Sequence, residues 1–172
     1  MYLLCACVCA SIGAVSDWRT RRMPNLLTGS SMLSGLLLHL AWGGWRAAGL
    51  AAAAGLLCGA GFFIFFLVGG MGAGDVKMMA AVGCMAGFGR LSEMFLATVL
   101  IGGVFAVALA MLRGQLKRTI WNVGALILHH GRYGLVQHPE LNLLNADTLR
   151  LPYGMAIAAG CWLTLARQSF VR

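Results

Sequence analysis

Residues 47–68 read AAGLAAAAGLLCGAGFFIFFLV, a run without one charged side chain and long enough to cross a bilayer, for which about 20 apolar residues suffice. Gly55 and Gly59 stand one helical turn apart within it, the spacing that lets helices pack closely in lipid. Further apolar runs flank it at 2–16, 26–42, 76–88, 94–112 and 152–166. Gly83 and Gly87 repeat the small-residue spacing in the fourth. The expected fold is therefore all-α, a polytopic membrane bundle of about six transmembrane helices forming a single membrane domain over residues 1–172. Residues 113–150 form its one long connection, cytoplasmic or interfacial.

Composition supports that class and excludes others. Of the 172 residues 60% are hydrophobic and only 10% charged, and the mean hydropathy of +0.81 does not describe a soluble domain. The net charge of +8 could suggest a nucleic-acid partner, but the cations are scattered at segment ends and form no basic face with interleaved aromatics. Loops beside a lipid bilayer with anionic headgroups account for them better, so no nucleic acid is expected. Cys5, Cys7, Cys9, Cys58, Cys84 and Cys161 all fall in apolar runs and form no C-x-x-C pair, which makes them packing residues and not a metal set. The first run ends in Ala14-Val15-Ser16, as a cleaved signal peptide would. No Lys or Arg precedes Arg19, however, so it reads as a helix that stays.

Directly after the opening run come Gly72-Ala73-Gly74-Asp75-Val76-Lys77, and at the end of the first run Ser16-Asp17-Trp18-Arg19. Ionisable groups at membrane depth are functional by default. Arg19, Arg21 and Arg22 assign the first connection to the cytoplasm. Two crossings later the chain returns to that side at Asp75, so both acids face the cytoplasm and can approach each other. Close carboxylates cannot both ionise easily: one keeps its proton while the other acts as base. Such a pair can activate a water and protonate the carbonyl oxygen it attacks, which hydrolyses a peptide with no covalent intermediate, no metal and no cofactor. It titrates as a unit, which leaves the two roles unassigned. Gly72 and Gly74 would permit unusual dihedrals and the close approach of another backbone. The helix after Asp75 directs free N–H groups toward the motif. Pro24 fixes the turn or the first position of the second helix.

Asp17 followed by Arg21-Arg22-Met23-Pro24-Asn25, together with Gly72-Ala73-Gly74-Asp75-Val76-Lys77, resembles the type IV prepilin peptidases, bacterial members of the GxGD intramembrane aspartyl proteases. Leu151-Pro152-Tyr153-Gly154-Met155-Ala156-Ile157-Ala158 resembles the start of the last helix in short members of that family. The resemblance thus runs from the first helix to the last. It implies a multi-pass protein of the bacterial inner membrane, with pilus-assembly machinery among its partners, that removes leaders from prepilins or pseudopilins at the cytoplasmic face. Asp17 and Asp75 match the family's catalytic pair, with Gly72, Gly74, Lys77, Pro24 and Asn25 as supporting residues on the substrate side. Longer members add a cytoplasmic domain with paired C-x-x-C motifs and methylate the new terminus. Nothing here matches that domain, so the resemblance points to the short peptidases of tight-adherence (Flp-type) pili, without zinc or S-adenosylmethionine.

In 113–150, Leu116, Ile120, Val123 and Ile127 share one helical face beside Lys117, Arg118 and Trp121, as in a helix lying at the membrane surface. His129, His130 and His138 have no neighbouring ligand set for a metal, and Glu93, Glu140 and Asp147 read as solvated charges. Two rival functions remain: a proton- or cation-coupled transporter, and an inactive pilus-assembly relative. No inverted repeat is evident and the acids lie at one face, whereas a transport site belongs near the midplane. The intact acid pair counts against an inactive relative.

Overall fold

The computed structural model describes residues 1–20, 23–134 and 153–170. They form helices α1 (Tyr2–Thr20), α2 (Asn25–Leu67), α3 (Ala73–Ala86), α4 (Leu91–Leu112), α5 (Leu116–Tyr133) and α6 (Tyr153–Phe170), with a short 3-10 turn at Phe88–Arg90. This is the expected all-α membrane bundle, with a different division into helices. The second and third expected crossings are the two arms of α2, 25–43 and 45–67, joined with no loop between them. The break is a single residue, Gly44, at φ 70° and ψ −172°, a left-handed region that side chains avoid.

Gly44 turns α2 back on itself, and α3 lies against both arms. In a straight helix residues 35 and 55 would stand about 30 Å apart. Yet a Cβ added to Gly35 would lie 2.9 Å from the Met85 Cα, and one added to Gly55 would lie 2.9 Å from the Cys84 Cβ. Gly83 returns the contact, its missing Cβ leaving room for Cys58. Small residues thus replace side-chain interdigitation with backbone approach, the way helices associate where lipid removes the hydrophobic drive between them. Gly87 serves differently: at φ 81° it ends α3, and the His39 ring packs on it. That ring stacks on Tyr2 and its Nε2 lies 3.3 Å from the Met85 carbonyl, which gives a buried helix end a partner.

α1 packs on α3 and α6, and α4 packs on α6, where Gly160 receives the Thr98 side chain. The buried centre is built from Ala6, Cys7, Ala10, Cys58, Met78, Met79, Val82, Met94, Ile157 and Cys161, and the cysteines act there as packing residues. Large apolar side chains point outward instead, including Leu56, Phe63, Ile64, Leu100, Val104 and Met111, as a lipid-facing surface requires. α1, α2 and Phe88–Leu112 are each long and apolar enough to cross a membrane. α1 and α3 both extend through their motif residues, and the 14 residues of α3 still span only about 21 Å. α5 presents Ile120, Val123, Ile127 and Leu128 on an exposed face. Residues 135–152, with His138, Glu140, Asp147, Arg150 and the Leu151-Pro152 pair, lie outside the described residues, as do Arg21 and Arg22.

Gly55→Val should lower the melting temperature of the detergent-solubilised protein, because its side chain meets the Ala80 carbonyl at 2.8 Å, and overpacking typically costs about 1–3 kcal/mol. Gly103→Val, with nothing within 4 Å, should leave it unchanged or slightly raised, valine being the better helix former.

Candidate functional site

Asp17 and Asp75 arrive from opposite ends of their helices. Asp17 sits near the last turn of α1 and Asp75 in the first turn of α3, after the extended cap residue Gly72. They are separated by 58 positions (75 − 17), most of them in the α2 hairpin, which returns the chain to the end of α1. Each carboxyl is half-buried, and they are close enough for the charge on Asp17 to act on Asp75.

Asp75 precedes the apolar run of α3 and lies outside the three crossing-length helices. Burial, above all, and the Asp17 charge next push its carboxyl up to about 7, against the opposing hydrogen bond with the Gly72 backbone. At neutral pH it therefore holds a proton for a large part of the time. Asp17 has a different setting: the Gly154 N–H, in the first turn of α6, donates to its Oδ2 at 3.3 Å. Each carboxyl thus accepts from a backbone N–H, Asp75 from Gly72 and Asp17 from Gly154, and for Asp75 burial outweighs that donor.

The glycines of the motif provide space and do not use unusual dihedrals, contrary to the expectation from sequence. Gly72 is extended at φ −81° and Gly74 is helical; the left-handed glycine nearby is Gly69. A Cβ on Gly74 would lie 2.9 Å from the Met23 Cβ, and one on Gly72 3.3 Å from Asp75 Oδ2. Met23 fills the room that Gly74 leaves, and its methyl group also reaches Gly154. Pro24 occupies the cap position ahead of α2 in an extended conformation, so the helix starts at Asn25.

Lys77 and Asn25 meet, the ammonium donating to Asn25 Oδ1 at 3.0 Å. With Thr28, Gly29, Met32 and Ala80 they line an open cavity of about 330 Å³ between α2 and α3. The structure therefore groups the expected site residues in two places. Asp17, Asp75, Gly72 and Gly74 lie where the end of α1 meets the start of α3, with Met23 against Gly74, while Lys77 and Asn25 edge the neighbouring cavity. Among the described residues no three His, Cys, Asp or Glu side chains converge as a metal set.

Tyr153 and Gly154 belong to the site as well, and no role for either was legible in the sequence. The hint in the sequence was the stretch Leu151-Pro152-Tyr153-Gly154, which resembles the start of the last helix in short prepilin peptidases.

A stretch of 71 residues, 38% of this chain, is 39% identical to the prepilin leader peptidase/N-methyltransferase of Bacillus subtilis and spans 28% of that relative's length. No solved structure matches the chain. Residues 3–107, which hold both acid motifs, match the type IV leader peptidase family, and the chain belongs to that family.

Proposed function

We propose that this chain is a membrane aspartyl endopeptidase that removes leader peptides from prepilins or pseudopilins at the cytoplasmic face of the bacterial inner membrane. The observation that carries the reading is the convergence of the end of α1, carrying Asp17, with the start of α3, carrying Asp75, close enough for the Asp17 charge to act on Asp75; these are two acids of a chain with only five in all. Family membership supplies the substrate class, and the cluster of Arg19, Arg21 and Arg22 supplies the orientation. Residues 1–172 act as one membrane domain, with α5 lying along the bilayer surface on its exposed apolar face.

The reaction is direct hydrolysis. The ionised carboxylate takes a proton from a water whose oxygen attacks the scissile carbonyl, and the protonated carboxyl gives its proton to the carbonyl oxygen. The resulting tetrahedral diol collapses as the C–N bond breaks, and the leaving nitrogen takes up a proton. The reaction needs the pair to hold a single proton. In this reading Lys77 and Asn25, at the rim of their cavity, contact the leader or the start of the substrate helix.

Asp17→Asn and Asp75→Asn should each reduce leader removal by about 10²–10⁴-fold, the usual worth of acid–base catalysis, with folding and insertion retained. Co-expression with a candidate prepilin and mass measurement of the product decides this. Wild-type cleavage by either variant would end the two-acid reading.

Stability should carry the mark of Asp75 too. A carboxyl raised in the folded state contributes stability that is fully present below its ordinary pKa of about 4 and is lost as pH rises through about 7. Asp75→Asn, neutral throughout, should therefore match wild type in thermal melts near pH 4 and melt higher than wild type near pH 8.

A further inference from the structure

Met23 stands in the short segment between α1 and α2, and its side chain lies among three glycines from three different helices. A Cβ added to Gly74 on α3 would lie 2.9 Å from the Met23 Cβ and 3.1 Å from its Cγ, one added to Gly13 on α1 would lie 3.7 Å from its Sδ, and one added to Gly154 on α6 would lie 2.7 Å from its Cε. From root to tip the side chain thus passes from α3, by α1, to α6. We propose that Met23 is a positioning residue, a strut that joins the backbone beside one acid to the backbone beside the other and so fixes how closely Asp17 and Asp75 approach. The inference rests on the two-acid peptidase reading above.

Each of the three glycines is tied to an acid. Gly74 directly precedes Asp75, and Gly13 stands one helical turn before Asp17 on the same face of α1. The Gly154 N–H donates to Asp17 Oδ2 at 3.3 Å, and a Cβ at Gly154 would lie 3.1 Å from the Asp17 Cβ. Movement of any of these backbones against the others therefore moves a carboxyl, and Met23 touches all three. The close contacts that lock α3 to α2 are made at Ala80, Gly83, Cys84 and Met85, about 8–15 Å along α3 from Asp75. Met23 supplies a contact at the acid end itself. Its root is held, because the residue before a proline is confined to extended backbone and Pro24 follows. Its unbranched thioether fills the irregular gap between three backbones and brings no strong hydrogen-bonding demand to the carboxyls.

Loss of the strut acts on Asp75 in two ways of the same sign. Water enters beside it and relieves the burial that does most to hold its proton, and Asp17 is free to draw away, which relieves the repulsion that does the rest. Both lower the pH at which the pair gives up its single proton. Among the described residues, the titratable groups acting on Asp75 are Asp17 from α1 and Tyr153 from α6. Lys77, on α3 itself, is bonded to Asn25 of α2. His39 of α2 packs at the opposite end beside Gly87, and Arg90 pairs with Glu93 at the start of α4.

The test is Met23→Ala in the full-length protein, assayed in detergent on a prepilin. The kcat should fall about tenfold with KM held within about twofold, as for a group that serves the transition state and not substrate binding. The alkaline limb of the pH profile should move to lower pH. Met23→Leu restores most of the apolar volume and should bring kcat back to within about threefold of wild type, with the limb in its original place. Should Met23→Ala not fold, Met23→Val must show the same shift of the limb, since it keeps the contact with Gly74 and lacks the atoms that reach Gly13 and Gly154. Gly154→Ala sets a methyl group against the tip of the strut, so in the double variant its loss and that of Met23→Ala should combine to less than their product. Wild-type kcat, a rise in KM alone, or an equal loss at every pH with an unmoved limb overturns the proposal, as do losses that multiply in the double variant. Asp17→Asn and Asp75→Asn assayed alongside separate the two failures. If both are inactive while Met23→Ala is normal, only the strut falls; if either is active, the peptidase mechanism falls and the strut with it.

Discussion

The position of α3 is the constraint on which the rest depends. This 14-residue helix carries Asp75 and packs on α1, and it is held between the two arms of α2 by contacts in which backbone meets backbone or a single small side chain. Gly35, Gly55 and Gly83 make those contacts, and a methyl group at any of them would stand within 3 Å of another atom. In lipid there is no hydrophobic gain from bringing helices together, so close approach and its dispersion contacts must supply the association. The depth and rotation of α3 follow from those contacts, and with them the direction in which the Asp75 carboxyl points.

From that placement the electrostatics of the site follow. Asp75 is put where burial penalises its charge, and Asp17 is brought close enough to penalise it further. Two acids in water would both be ionised at neutral pH; here the pair readily holds a proton, which is the state that acid–base hydrolysis uses. α6 contributes neither acid, yet its amide at Gly154 meets one of them. The site is thus assembled from the end of α1 and the starts of α3 and α6. Helix starts carry free N–H groups, which suits a centre whose charge is negative.

Much of this was legible in the chain itself. The apolar runs identify the bundle because a bilayer demands a minimum length of uncharged helix, and Asp17 and Asp75 stand out because charge is costly there. The division of α2 was less legible, since Gly43-Gly44-Trp45-Arg46 reads as a loop. One residue in a left-handed conformation was enough to turn the helix, and the flanking residues stayed helical. The glycines of the motif pointed to space correctly but not to what fills it, because Met23 reaches Gly74 only through the fold.

Sequence by itself determined the class of fold, the membrane-embedded character and the two acids, because each depends on local chemistry: hydropathy over a helix length, and charge against lipid. Tertiary structure decided which groups surround those acids. Tyr153 and Gly154 lie more than 130 residues from Asp17 along the chain, as the separation of 137 between Gly154 and Asp17 records. Their approach depends on the packing of α6 on α1 and α4, which no local pattern encodes. The environment of the two carboxyls exists only once packing has buried Asp75 and brought the Gly154 N–H to Asp17.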